Sequence, residues 1–256
     1  MVHWRQSRAK SRGGKLYPPA PHGWTVYVIG DIHGRLDLLK EVHRGIDADK
    51  GRAHPDGTFE VYLGDYIDRG PQSADVLSAL IARSRTSRAC FLRGNHEQLL
   101  ADFLEGKDLL SQWKAVGGLP TLLSYGLPGR LLAGDAAEAE VREALRQRLP
   151  DEHLEFLAHT GSYMKLDPYL LVHAGLRPGV RLEDQQAADI FGIRNDFLDY
   201  GGDLGYLVVH GHTPVEEPDF RPNRINIDTG AFATNRLTCL RIGADGPSVL
   251  DMAAIG

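Results

Sequence analysis

The sequence predicts an α/β fold: a largely parallel sheet with helical cover, faced by a second β-layer. Three observations lead there. Up to Leu104, short apolar runs alternate with segments of helical periodicity. Three of those runs stop at a glycine and then present polar side chains suited to metal or proton chemistry: Val28-Ile29-Gly30-Asp31-Ile32-His33-Gly34, Val61-Tyr62-Leu63-Gly64-Asp65 and Phe91-Leu92-Arg93-Gly94-Asn95-His96. Beyond His159 the chain turns to short apolar runs separated by turn residues.

In order, residues 1–23 carry Arg5, Arg8, Lys10, Arg12 and Lys15 and no acid, and close on Pro18-Pro19-Ala20-Pro21. They are predicted to be a disordered basic tail ending in a stiff, non-helical lead-in. Thr25 to Ile29 is the first strand, apolar on both faces, as in a sheet covered on both sides. Leu36, Leu38, Leu39, Val42 and Ile46 then recur at helical spacing. Phe59 to Leu63 is a second strand, Ala74 to Ala82 a helix with Pro71 near its start, Ala89 to Leu92 a third strand, and Glu97 to Leu104 a helix. That β-α-β-α-β-α order argues for a parallel sheet, whose active groups gather beyond the strands' carboxyl ends.

Residues 107–159 read as a helical insertion, including a charged amphipathic helix from Asp135 to Leu149 and another that Pro150 opens. No linker marks either end, so residues 24–256 are predicted as a single domain. Tyr163 to Leu166 and Tyr169 to Val172 flank Asp167-Pro168 as a hairpin. Tyr206 to Val209, Arg224 to Ile227, Leu237 to Ile242 and Ser248 to Asp251 are further strands. A second β-layer facing the first would bury both.

Composition narrows the function classes. The 256 residues are 42% hydrophobic and 25% charged, ordinary for a globular protein with a substantial core. No apolar run approaches the roughly 20 residues that cross a bilayer, and the N-terminus has no apolar signal segment. Cys90 and Cys239 lie in apolar runs and read as reduced core residues of a cytoplasmic protein. Net charge is −5, but beyond the tail 24 basic residues face 34 acidic ones. Nucleic acid is therefore not an expected partner, and neither is a membrane.

The strand-end groups Asp31, His33, Asp65, Asn95, His173 and His212 are hard or borderline donors with no thiolate among them. Six donors exceed a four-coordinate zinc site and suit two metals sharing one carboxylate. Asp65, on the middle cluster, is the expected bridge. Two divalent ions, two aspartates and one hydroxide leave about one net positive charge, a receptor for a phosphate dianion. His3, His22, His43, His54, His153 and His159 are read as structural.

These residues carry a resemblance. Gly30-Asp31-Ile32-His33-Gly34, Gly64-Asp65-Tyr66-Ile67-Asp68-Arg69-Gly70 and Gly94-Asn95-His96-Glu97 resemble the three signatures of the phosphoprotein phosphatase family of calcineurin-like metallophosphoesterases. Val172-His173-Ala174-Gly175 and Gly211-His212-Thr213-Pro214 resemble its two later metal motifs. Five ordered motifs over residues 24–243 are a specific signal, and the look is closest to compact bacterial Ser/Thr protein phosphatases.

The resemblance implies a four-layer αββα sandwich of two mixed sheets around a dimetal centre. Asp31, His33 and Asp65 would bind one ion, and Asp65, Asn95, His173 and His212 the other. Mn is the implied metal, with Fe or Zn compatible with the same donors. A metal-bridging hydroxide would attack in line. His96 would be the general acid, held by Asp68. Arg69 and Arg194, with Asn95, would bind the phosphate. Gly192 stands where the family has tryptophan near Arg194. His210 would be structural or sit behind the ligands, Arg93 would brace the turn before Asn95, and Glu97 would open a helix favoured by its dipole. The expected activity is hydrolysis of phosphoserine and phosphothreonine in proteins or peptides, with phosphotyrosine as a further substrate open to a bacterial member. The alternatives are a dinucleoside polyphosphate hydrolase and an inactive metal-holding module. His33 weighs against the symmetrical tetraphosphatases, which typically carry glutamine there.

Overall fold

The computed structural model describes residues 17–21, 23–51, 57–133 and 137–251. Strands β1 (Thr25–Ile29), β2 (Thr58–Tyr62) and β3 (Ala89–Phe91) are parallel neighbours. Between and after them come α1 (Leu36–Lys50), α2 (Ser73–Ser84) and α3 (Asn95–Leu104). The insertion is helical throughout its described part: α4 (Leu110–Ala115), α5 (Leu119–Ser124), α6 (Gly129–Ala133), α7 (Glu138–Arg146) and α8 (Asp151–Ala158).

The second sheet holds β4 (Tyr163–Leu166), β5 (Tyr169–Val172), β6 (Leu207–His210), β7 (Asp219–Phe220) and β8 (Arg224–Asn226), in the order β4-β5-β6-β8-β7. Helices α9 (Ala187–Gly192) and α10 (Asn195–Leu198) lie between β5 and β6, and α11 (Ala231–Thr234) follows β8. Not every late strand belongs to this layer. β9 (Cys239–Gly243) and β10 (Gly246–Val249) return to the first sheet, whose order is β10-β9-β1-β2-β3. Apolar pattern cannot assign a strand to one of two sheets, because central strands of both, such as β9 and β6, are buried alike.

Strand alternation builds the four layers. Val26 and Val28 face the second sheet and pack with Val61, Leu63, Tyr169, Leu171, Val209 and Ile225. Tyr27 and Ile29, one residue out of phase, join Leu39, Ile46, Leu77 and Leu80 under the first helical layer. Leu170, Val172 and Val208 face outward onto Ile190, Phe191, Ile193 and Phe197 of the second helical layer. The predicted αββα sandwich is the observed one.

The expectation of disorder through residue 23 needs correction at its end. Ala20 donates its backbone N–H to the Gly243 carbonyl at 2.9 Å and is buried. Tyr169 donates its hydroxyl to the Pro18 carbonyl. A proline-rich stretch cannot form a helix, but its remaining N–H and carbonyl groups can bond residues of β9 and β5. Residues 1–16 and His22 lie outside the described residues, as does His54. Among the described residues no helix is long and apolar enough to cross a membrane.

Candidate metal centre

The parallel strands of both sheets end on one side, and the singled-out side chains lie in the turns that follow. Asp31 and His33 follow β1, Asp65 follows β2, and Asn95 opens α3 just after β3. His173 follows β5 and His212 follows β6. The turns are tight. His33, Asp65, Asp68, Arg69 and His212 all take positive φ, between 47° and 71°, which non-glycine residues rarely adopt. Gly34 also turns left-handed, at φ 63°. Gly30 serves a different need: a Cβ there would meet the Ile227 carbonyl oxygen of the facing sheet at 2.7 Å.

Two clusters share Asp65. His33, Asp65 and His96 offer donor atoms within 4.8 Å of one another, and so do Asp65, His173 and His212. Asn95 Oδ1 lies 3.1 Å from His173 Nε2 and 2.8 Å from His212 Nδ1. Asp31 falls outside both three-residue clusters. Its carboxylate accepts the His212 backbone N–H at 3.1 Å, which ties the two sheets together at the site.

The protons on the rings decide what the site can hold. His33 Nδ1 lies 2.8 Å from the Ile67 carbonyl, and His173 Nδ1 lies 2.9 Å from the Leu63 carbonyl. A carbonyl only accepts, so both Nδ1 atoms carry hydrogen and both Nε2 atoms present lone pairs in the neutral ring. Those lone pairs face acceptors: His33 Nε2 is 3.5 Å from Asp65 Oδ2, and His173 Nε2 is 3.4 Å from Asp65 Oδ1. Burial keeps the rings neutral, holding the His33 and His212 pKa values down to about 3 and lowering that of His173. Lone pairs aimed at carboxylate and amide oxygens in a buried site fit a divalent cation between them.

The carboxylates respond to the same crowding. Burial pushes the Asp31 pKa up, and the charges of Asp228 and Asp65 push it further. Burial opposes the charge of Asp65 as well, but His173, His96, His33 and His212 around it hold its pKa below the ordinary value.

His96 joins the first cluster through Nε2, 3.9 Å from Asp65 Oδ2, while its Nδ1 lies 2.6 Å from Asp68 Oδ2. Burial pulls its pKa down, and the carboxylates of Asp65 and Asp68 more than offset that, so it stands above the ordinary histidine value. An Arg69 guanidinium nitrogen lies 3.4 Å from His96 Nε2. The Phe232 ring lies 4.6 Å from that guanidinium and meets the His33 ring edge-on. Arg194 is exposed, yet near enough that its charge lowers the His173 and His212 pKa values.

His210 packs edge-on against Phe197 of the outer helical layer and belongs to neither cluster. Arg93 donates to Thr160 Oγ1 and to the Leu157 carbonyl, so it fastens the end of β3 to the end of the insertion. His43 and His153 bond Tyr62 and Tyr125. Glu97 does more than open a helix: its carboxylate accepts the N–H groups of Asp65, Tyr66 and Gly94. Burial and the charge of Asp65 push its pKa up to about 7.

Asp228 went unread in the sequence. It is buried after β8, and burial raises its pKa to about 6. Ile225-Asn226-Ile227-Asp228-Thr229-Gly230 repeats the pattern of a short apolar run followed by an acid and a glycine, and that was the available signal.

A four-layer sandwich with acceptor-rich histidine and aspartate clusters at its strand ends defines a metallophosphoesterase. The chain belongs to the calcineurin-like phosphoesterase family, which it matches over residues 25–226. It is similar to a bis(5'-nucleosyl)-tetraphosphatase PrpE, asymmetrical, from Anoxybacillus flavithermus: 30% identical over 235 residues, covering 84% of this chain and 89% of that protein. The protein of the same name from Halalkalibacterium halodurans is 30% identical over 234 residues, covering 84% of this chain and 88% of that protein. Among solved structures, a putative diadenosine tetraphosphatase aligns with TM-score 0.60 at 18% identity, over 91% of this chain and 96% of the other. A cold-active protein-tyrosine phosphatase from a psychrophilic Shewanella aligns with TM-score 0.52 at 17% identity, over 93% and 85%. The two structures share the fold. The family agrees with the sequence signatures, but these relatives are named as tetraphosphatases, which corrects the expected nearness to Ser/Thr phosphatases.

Proposed function

We propose that the chain is a metal-dependent hydrolase of dinucleoside polyphosphates that cuts a tetraphosphate bridge off centre. The neutral histidine lone pairs and the carboxylate oxygens gathered around Asp65 support the metal dependence. The tetraphosphatase relatives, similar over most of both chains, support the substrate. In this reading Asp31, His33 and Asp65 hold one ion, and Asp65, Asn95, His173 and His212 hold the other. Mn is the preferred metal, with Fe or Zn fitting the same donors. When bound, the ions activate water and neutralise charge on the phosphoryl oxygens.

The protein's own groups do the rest. Arg69 and Arg194 bind phosphate oxygens, and the Asn95 amide helps to place them. His96 protonates the leaving oxygen through Nε2, since Asp68 fixes Nδ1. Asp68 also stabilises the imidazolium before transfer.

A second reading, hydrolysis of phosphoserine and phosphothreonine in proteins, has one observation in its favour. The buried Asp68–His96 pair is suited to a strongly basic alkoxide leaving group, which an anhydride does not present. A kcat/KM panel with defined metals separates the two. It compares diadenosine tetraphosphate with phosphoserine, phosphothreonine and phosphotyrosine peptides. The proposal expects diadenosine tetraphosphate to rank first and to yield a monophosphate and a triphosphate. Peptides ranking first favour the second reading. No hydrolysis of any phosphoester at verified metal content overturns the enzymatic assignment and leaves a metal-holding module.

A further inference from the structure

Asp68 is held from the insertion. Its Oδ1 accepts the Thr121 hydroxyl at 2.6 Å, and its Oδ2 accepts the Trp113 indole N–H at 2.8 Å. The same Oδ2 is the one that lies 2.6 Å from His96 Nδ1. Its backbone N–H reaches Thr121 Oγ1 at 2.9 Å and Ser73 Oγ at 3.0 Å. A threonine hydroxyl has a single hydrogen, and Thr121 gives it to Asp68. In the 2.9 Å contact between the hydroxyls, Ser73 is therefore the donor. Asp68, Trp113, Thr121 and Ser73 are all fully buried. Gly117, in the turn between α4 and α5, accepts the Arg69 backbone N–H at 2.8 Å. The insertion thus grips both left-handed residues of this turn, Asp68 at φ 71° and Arg69 at φ 66°.

We propose that Trp113 and Thr121 are positioning residues of the acid pair, so that the helical insertion sets where His96 points. The inference rests on reading His96 as the general acid. Without the indole, Oδ2 keeps His96 but loses the donor that fixes its position in the plane. Without the Thr121 hydroxyl, Oδ1 loses its only side-chain donor among the described residues. In either case the carboxylate swings, the imidazole follows, and the proton is delivered off line. Proton transfer is steeply sensitive to such misplacement. Neither residue touches the clusters around Asp65, so the expected defect falls on protonation and spares phosphate binding.

The test uses Thr121→Val, which keeps shape but removes the donor to Asp68 Oδ1 and the acceptor of the Asp68 N–H and the Ser73 hydroxyl, and Trp113→Phe, which removes the indole donor and part of the ring volume, with Thr121→Ser as the conservative rescue. Metal-loaded proteins are assayed on p-nitrophenyl phosphate, a good leaving group, and on phenyl phosphate, a poor one. T121V and W113F should lower kcat on phenyl phosphate by about tenfold, and on p-nitrophenyl phosphate by less than about twofold, with KM unchanged. T121S should match the parent. NMR gives a readout independent of turnover: the His96 Nδ1 proton should exchange with water faster in T121V and W113F but not in T121S.

Equal losses on both substrates, or no loss and no faster exchange, overturn the inference. His96→Asn in the same assay separates it from the reading beneath it. Equal losses in H96N remove the acid role itself. A leaving-group-dependent loss in H96N with none in T121V and W113F removes only the positioning role.

Discussion

Glu97 Oε2 accepts the backbone N–H of Asp65 at 2.8 Å, so the residue shared by both clusters is held by a side chain that lies in neither. Glu97 Oε1 takes the Tyr66 N–H at 2.8 Å, and Oε2 also takes that of Gly94 at 3.0 Å. With the Ile67 N–H at 3.3 Å from Oε1, four backbone donors in the turns after the strands converge on one carboxylate. Glu97→Gln puts an amide NH2 against at least one of them. The orphaned buried donor should cost about 1–3 kcal/mol, a fall of several degrees in Tm by calorimetry. Metal content should fall too, because Asp65 loses its fixed φ of 52°. An unchanged Tm with full metal content would refute the bracing role.

The lone pairs of His33 and His173 facing Asp65 make metal removal destabilising as well as inactivating. Dialysis against a chelator should abolish hydrolysis and lower Tm, and Mn should restore both. Metal at about a hundred times its Kd stabilises by about 2.7 kcal/mol. His173→Ala should bind fewer ions per chain by elemental analysis, while the His33 side keeps its donors. Full occupancy in that variant would show that His173 is not a ligand.

The first half of the fold was legible because periodicity and topology agree there: runs of five residues or so alternate with helices, which leaves only a parallel sheet. Asp31, His33, Asp65 and Asn95 were legible for the same reason, each standing just past such a run. The return of β9 and β10 to the first sheet was not: β9 is buried like the strands of the second layer, and β10 is an exposed edge strand that could border either. Trp113 and Thr121 were hidden for another reason. They lie on short helices of the insertion where nothing local marks chemistry, and only tertiary packing brings them to Asp68. Asp228 was hidden less deeply: it too stands just past a short apolar run, but no glycine comes before it.

Acid should destabilise the protein in part through His43. This ring packs on Tyr62, with Nε2 2.9 Å from the tyrosine hydroxyl. Burial, with the charge of Arg83 added, lowers its pKa from 6.5 to about 4. Above pH 6.5 the ring is neutral whether the chain is folded or not. As pH falls below that, the unfolded chain takes up a proton that the folded one refuses until about pH 4, so stability is lost across that window. The loss is at most about 3 kcal/mol for one such group. His43→Gln should flatten the dependence of Tm on pH between those values. Parallel curves for the two proteins would assign the acid loss to other buried histidines.

His96 and its leaving group connect the chemistry to the substrate. If His96 protonates the departing oxygen, the loss in His96→Asn depends on how basic that oxygen is. A serine alkoxide is strongly basic and cannot leave unprotonated. The terminal phosphate of a departing nucleotide has a pKa of about 6 and leaves readily as an anion. H96N should therefore lower kcat on a phosphoserine peptide by about a hundredfold or more, and on diadenosine tetraphosphate by much less. Metal occupancy should be unchanged, because the Asn95 carboxamide beside it is untouched. Steady-state kinetics on both substrates with one metal-verified preparation measure the difference. A chain adapted to anhydrides keeps most of its natural activity in H96N, whereas one adapted to phosphoserine loses it. Equal losses on both would mean that His96 binds the transferred phosphoryl group and gives the leaving oxygen no proton.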